Sequence, residues 1–270
     1  MQIIKTRVNY RSARILLREL IITDFKLRYQ GSVLGYAWSV LKPLFMFLIL
    51  YLVFAVVLKV GDGVTNYPIY LLLGIMLWGF FAEMTQQGIT SIVMRGDLIQ
   101  KIRIPSWLII VSASVGALIN LALNFVVLLV FAFVYGMDFH FSAFFLPLFM
   151  VEIYLFALGV TLLLSALFVK YRDISYVWDL ILQAGFYATP ILYPVSLVTD
   201  SFLQKILLLN PMAQSIQGAR NVLVTTDSIT IGEVFGSRFA VLVPVFIVML
   251  TLIIGFLYFR KEAKNFAENL

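Results

Sequence analysis

The chain has 270 residues, of which 62% are hydrophobic and 13% charged, with a mean hydropathy of +0.99 and a formal net charge of +6. Soluble domains carry about 25% charged residues, so the composition excludes a soluble enzyme or a nucleic-acid-binding domain and fits an all-α polytopic membrane protein. Cysteine is absent, which removes thiol catalysis, disulfides and Cys-ligated metal.

The first 30 residues carry Lys5, Arg7, Arg11, Arg14, Arg18, Lys26 and Arg28 and no uninterrupted apolar core of a signal peptide. The N-terminus is therefore expected to be retained. Within 9–29, Ala13, Leu16, Leu17, Leu20, Ile21 and Phe25 recur at helical spacing, and Arg11, Arg14 and Arg18 share another face. That pattern predicts an amphipathic helix in the membrane interface; a helix packed on protein would show the same spacing. "RYQGSVLGYAWSVLKP" follows. The apolar run after Pro43 covers only 44–58, too short at ~1.5 Å per residue for a ~30 Å core. The first span is thus expected to begin before the proline, with Lys42 and Pro43 inside it and a bend there. Gly31, Gly35 and Ser39 recur every four residues and predict a small-residue stripe, flanked by Tyr36 and Trp38. Such a stripe admits another backbone or a bulky substrate; helix packing alone also accounts for it.

Six spans are predicted, roughly 34–58, 67–93, 106–135, 143–169, 174–197 and 238–259. With the N-terminus in the cytoplasm, 16 Lys/Arg fall inside, and only Lys59, Lys205, Arg220 and Arg238 fall outside. Both termini are then cytoplasmic. The loop "MRGDLIQKIRIP", 94–105, is charged, carries apolar Leu98, Ile99, Ile102 and Ile104, and stops at Pro105. It reads equally as a short surface helix or as a basic anchoring loop. Between spans five and six, 198–237 holds "FLQKILLLNP" and "MAQSIQGARNVLV", each apolar on one face and too short to cross. Two short helices dipping into the outer leaflet, or a cap lying flat on it, are the readings.

Chemistry is sparse. His140 is the only histidine, in "GMDFHF", without partners for a metal. No G-x-x-x-x-G-K-[ST] is present, so no nucleotide binds by a P-loop. Ionisable residues inside spans are costly and mark protein seams or water-filled paths. Glu83, followed by Thr85, Gln86, Gln87 and Thr90, makes half of span two too polar to face lipid all round. A path, a subunit seam and structural hydrogen bonding between helices all fit, and for Glu152 and Asp179 structural bonding fits at least as well. Tyr67, Tyr70, Trp107 and Tyr258 read as interface anchors. Tyr36, Trp38, Trp78, Phe80, Phe81 and Tyr187 are candidates to stack on sugar rings if they face inward.

The ordered set "DFKLRYQGSVLGYAWSVLKP", "LWGFFAE", "GITSIV", "RGDLIQKIRIP", "VKYRDI", "TPILYPV" and "LNPMAQSIQGARNVL" resembles the membrane subunits of ABC-2 type polysaccharide exporters. That family includes the permeases for teichoic acid, O-antigen and rhamnose-rich glycans. The resemblance runs over nearly the whole chain as one transmembrane domain, 1–270. It implies a transport subunit rather than an enzyme, working as a homodimer with two copies of a separate ATPase. ATP and Mg would be held on that partner, with no cofactor on this chain. It implies a cargo carried on undecaprenyl diphosphate, moved outward across a bacterial cytoplasmic (inner) membrane.

By position, 94–105 becomes the coupling helix, with Arg95, Asp97, Leu98, Lys101 and Arg103 facing the ATPase. Many members carry Asn where this chain has Arg95, and docking is expected to survive that. The helix 9–29 lies near the entrance, where Arg14, Arg18, Lys26, Arg28 and Lys42 would attract the diphosphate. Gly35, Tyr36, Trp38, Ser39, Phe80, Phe81, Glu83, Gln87 and Tyr187 are the candidates to line a channel between protomers, and 198–237 would lie near its outer exit. Two other classes predict features that do not appear here. An ion-coupled transporter calls for clustered acids or broken helices at mid-membrane. An embedded transferase calls for a catalytic cluster. An ABC permease for drugs or small lipids stays open.

Overall fold

Long apolar runs become helices here, and proline, glycine and charge mark where they stop. The structure, a computed structural model, describes residues 10–29, 32, 34–102, 104–137 and 141–269. Helix α1 is Tyr10–Tyr29, and α2 is Trp38–Tyr51, entered through a 3-10 turn Gly35–Ala37 and left through a wide π-helical turn Leu52–Val57. Next come α3 (Tyr67–Met94), α4 (Gly96–Ile102), α5 (Ser106–Val134), α6 (Leu146–Lys170) and α7 (Ile174–Ala188). The chain closes with α8 (Ser201–Leu209), α9 (Pro211–Leu223), α10 (Ile231–Phe235), α11 (Leu242–Glu262) and α12 (Phe266–Asn269). Among the described residues there is no strand.

Five helical stretches are long and apolar enough to cross a membrane: Gly35–Val57, Tyr67–Met94, Ser106–Val134, Phe141–Lys170 and Arg238–Glu262. The expected span 174–197 is helical only over the 15 residues of α7. That is about 22 Å of rise against a ~30 Å core, because Pro190 and Pro194 cannot continue a helix. The two short helices expected in 198–237 are present as α8 and α9. Asp200 caps α8 by accepting from the Phe202 N–H at 2.7 Å, and Asn210 caps α9 by accepting from the Met212 N–H at 3.0 Å. A Thr230–Glu233 capping box starts α10 as a further short turn.

Helix α3 is the hub. It packs on α2, α5, α6, α7 and α9 and is buried on nearly all sides. Helices α6 and α11 cross at two glycines. A Cβ on Gly159 would stand 2.7 Å from the Leu252 backbone nitrogen, and one on Gly255 would collide with the Gly159 carbonyl. The two backbones approach closely because both positions lack a side chain. A smaller cluster of Ile92, Ile99, Ile109, Ile110, Val169, Phe259 and Phe266 ties α4 and α12 to the ends of α3, α5, α6 and α11.

Two prolines free backbone carbonyls, and side chains from other helices satisfy them. Pro43 lies inside α2 as expected and has no N–H for the Ser39 carbonyl four residues back. Asn124 of α5 donates to that carbonyl at 3.1 Å. After α7 the chain turns through Thr189–Leu192. There Arg220, fully buried on α9, donates to the carbonyls of Pro190 (2.5 Å) and Ile191 (2.7 Å), while Nε donates to Tyr70 O at 3.1 Å. Its guanidinium lies 3.5 Å from the centroid of the Tyr70 ring. Tyr67 Oη donates to the next carbonyl, Leu192, at 2.7 Å. The cation sits at the negative end of the α7 dipole, and Gly74 leaves the space it fills, since a Cβ there would collide with Nη2. Arg220, counted among the four outside cations in the sequence, is a buried staple and not an exposed charge.

The predicted small-residue stripe is also corrected. Gly31 lies outside the described residues. Gly35 has φ +49°, a left-handed conformation that starts the turn into α2, so it is not a helical neighbour of Ser39. The Ser39 hydroxyl donates to Tyr36 O at 2.7 Å.

Arg220→Met is expected to lower the melting temperature of the detergent-solubilised protein markedly, because each buried carbonyl left unpaired costs about 1–3 kcal/mol. Tyr67→Phe, which unpairs one carbonyl, should cost less than Arg220→Met in the same melt. Gly255→Val should cost about 1–3 kcal/mol through overpacking, read in that melt, whereas Gly236→Ala at the exposed end of α10 should leave the α6–α11 crossing unaffected.

Candidate functional site

Only one narrow face of α3 is open. Gly79 and Gln86 are exposed, and Glu83, Gln87 and Thr90 on the same side are half-buried. This is the polar half of span two singled out in the sequence. Its flanks are fixed by hydrogen bonds. On one side Asn120 of α5 donates to Glu83 Oε1 at 2.5 Å, and Gln87 donates to the same oxygen at 2.9 Å. On the other, Gln86 Nε2 donates to Asp179 Oδ1 of α7 at 2.8 Å, and Trp178 Nε1 donates to Thr85 Oγ1 at 2.9 Å. Glu83 therefore belongs to an α3–α5 seam that borders an open polar strip. Asp179 is a structural partner of Gln86, and Gln86 was not among the predicted site residues although its neighbours were. Glu152 sits half-buried in α6, away from this strip, with Oε1 buried and unpaired among the described residues.

The aromatic candidates divide. Tyr36 (47% exposed), Trp38 (46%) and Tyr187 (62%) stand at the surface. Phe80 and Phe81, predicted to line a channel, are buried in the core of the protomer. Phe81 stacks on Phe156 at 5.5 Å and meets Trp178 edge-on at 6.2 Å. They lie on sides of α3 that neighbouring helices cover and line no open surface of the single chain. Trp78 is packed against Phe186 and the Gly185 backbone in the same core. Ser39 is half-buried and engaged at both ends, its carbonyl by Asn124 and its hydroxyl by Tyr36 O.

At the basic end of the bundle, α3 breaks at Arg95 and resumes at once as α4. Asp97 and Gln100 are exposed on α4, Leu98 is half-buried, and Ile99 is buried in the small cluster. Arg95 turns inward. Its guanidinium pairs with the Asp24 carboxylate of α1, the two side chains being 18% and 21% exposed, and Asp24 Oδ2 also accepts from Ser112 Oγ of α5 at 2.8 Å. Burial pushes the Arg95 guanidinium below its ordinary value, and Asp24 supplies its counter-charge. Arg95 was predicted to face a partner outside the chain; in the single chain its cation is paired with Asp24. Asp24 was not singled out, and its place among basic residues at one turn of α1 was the available signal. Arg103 and His140 lie outside the described residues, and Arg28 and Lys101 are placed by their backbone on α1 and α4.

Arg14, Arg18 and Lys26 are exposed along α1, opposite half-buried Leu16, Leu17, Leu20 and Ile21. Lys42 is exposed on α2, one turn beyond Trp38. Helix α1 packs along α5, so part of its apolar face is taken by protein. The described residues contain no group of three or more His, Cys, Asp or Glu arranged to hold a metal ion.

The family model for ABC-2 type transporters matches residues 16–224. An O-antigen export system permease protein RfbA from Myxococcus xanthus is 32% identical over 200 residues, covering 74% of this chain and 76% of that protein. Two proteins of the same description from Klebsiella pneumoniae are 32% identical over 200 residues and 29% over 252, the second covering 92% of both chains. With a multi-pass helical bundle, a polar strip on its central helix and a short helix at the basic end, the chain belongs to the ABC-2 type transporter family, as a transport subunit.

Proposed function

We propose that this chain is the membrane subunit of an ATP-driven exporter that moves a lipid-linked polysaccharide, carried on undecaprenyl diphosphate, outward across a bacterial cytoplasmic membrane. The observation that carries the reading is the match of 92% of the chain to an O-antigen export permease of nearly the same extent. In this reading two copies of the chain pair with two copies of a separate ATPase, which docks on α4 through Asp97 and the flanking loop 94–105. ATP and Mg are held there.

Several features support a glycan on an anionic lipid. Arg14, Arg18, Lys26 and Lys42 are exposed around the start of the first span, where cations attract a diphosphate. Exposed Tyr36 and Trp38 stand beside Lys42, the mixture of ring and charge suited to a sugar next to a phosphate. The strip of Gly79, Glu83, Gln86 and Gln87 between α5 and α7 offers polar groups along the path. Tyr187 continues that side of the path on α7, and α8 and α9 stand at the outer exit. Hydrolysis on the ATPase pair acts on the elbow at Arg95 and shifts the balance between closed and open arrangements.

Depleting the chain in its native cell should cause a lipid-linked glycan to build up in the cytoplasmic leaflet, seen by extraction and mass analysis. No build-up would overturn the reading, as would a purified chain that retains no ATPase. Replacing Arg14, Arg18 and Lys42 by Gln should leave insertion intact. It should raise the substrate concentration for half-maximal export by roughly fivefold per cation, equivalent to ~1 kcal/mol each.

A further inference from the structure

We infer that Asp24 is the joint through which movement of the α3–α4 elbow reaches α1, which makes it a positioning residue for transport and not a contact for the cargo. The inference rests on the exporter reading above for what is transported, but its geometry does not.

Both oxygens of Asp24 are engaged, and by two different parts of the bundle. Oδ1 pairs with Arg95 and Oδ2 accepts from Ser112 of α5 at 2.8 Å. Arg95 is the one residue between α3 and α4, with φ −117° and ψ 25° outside the helical region. A rotation of α4 about this elbow therefore turns the Arg95 backbone and carries the guanidinium with it. The pair is mostly withdrawn from water, so salt screens it weakly, and breaking one partner leaves a buried charge uncompensated. Pulling Arg95 must then either drag Asp24 along or exchange its partner. Because α1 otherwise packs on α5, the Ser112 bond defines the second position of the joint. Asp24 can keep Ser112 while Arg95 moves, or leave Ser112 and follow Arg95. In the first case α1 stays on α5; in the second the basic helix swings with the elbow. A two-position contact of this kind turns a small rotation into a discrete change at the entrance.

A passive anchor would have the same bonds, so the experiment separates the two. Asp24→Asn keeps the size and an acceptor for Ser112 but removes the ion pair. In the complex with its ATPase, the variant should assemble and hydrolyse ATP within about twofold of the native protein, while glycan exported per ATP falls roughly tenfold, a coupling loss of the usual size. The exchange Asp24→Arg with Arg95→Asp should recover most of the export. Native export by Asp24→Asn, a proportional fall of hydrolysis and export, or an exchange no better than the single variants would each overturn the joint.

A second readout needs no cargo. The chain has no cysteine, so spin labels on Glu19→Cys of α1 and Trp107→Cys of α5, both exposed positions, report their separation directly. ATP should shift that distance in the native background and not with Asp24→Asn. A shift that persists in the variant, or none in the native protein, overturns the joint. If the native complex exports no lipid-linked glycan yet the shift depends on Asp24, the exporter reading fails and the joint stands.

Discussion

A backbone carbonyl freed inside an apolar bundle has to find a donor, and this chain frees several. In lipid no water can serve, and each unpaired group costs several kcal/mol. Pro43 frees the Ser39 carbonyl and Asn124 takes it. Pro190 ends the short helix α7, and Arg220 and Tyr67 take the carbonyls of Pro190, Ile191 and Leu192. These donors come from α5, α9 and α3, so each break in a helix is also a tie between helices. The broken first span and the short fifth one are tolerable because the central bundle presents a polar side chain at each break.

Arg220 shows how far this constraint reaches. Among the described residues its charge has no carboxylate partner; carbonyl dipoles, Gln217 and the Tyr70 ring compensate it instead. The arrangement needs Gly74 on the facing helix, Gln217 one turn earlier on α9, and a chain that turns at Thr189–Pro190. Once set, it fixes where α9 lies on α3, and therefore where α8, packed on α9, lies. A residue of the type that normally reports topology is here the buried centre where α3, α9 and the turn after α7 meet.

Much of the architecture was legible in the sequence because lipid solvation imposes it residue by residue. Apolar runs gave the long helices, the polar half of α3 was visible from Glu83 to Thr90, and the caps at Asp200 and Asn210 lie where the apolar pattern restarts. What the sequence hid was partnership. Helical spacing alone does not say that Phe80 and Phe81 lie under neighbouring helices while Gly79 and Glu83 stay at an open edge; that depends on which helices arrive. The every-fourth-residue pattern of Gly35 and Ser39 assumed a helix, and a single left-handed residue at Gly35 undoes it. Arg95 looked like a docking cation because its acid, Asp24, lies 71 positions away in the chain.

The contacts fall into two kinds, and the division bears on how such a subunit can move. Helices α3, α5, α6 and α11 meet mainly through apolar side chains and, at Gly159 and Gly255, through backbone. Dispersion over many atoms has no single point of release, so this block behaves as one body. The peripheral helices also pack on this block, with Phe47 of α2 and Phe186 of α7 in the same core and α1 lying along α5. They add directional ties to that packing: α7 through Trp178 and Asp179, the start of α2 through Asn124, and α1 through Asp24. A directional bond is made or broken as a unit, whereas close packing yields only gradually. A chain that must stay folded while opening a path for a large cargo gains from putting its dispersed contacts in the centre and its discrete ones at the margin. The polar strip of α3 lies on the boundary between the two, bordered by the Asn120–Glu83 bond to α5 and the Gln86–Asp179 bond to α7.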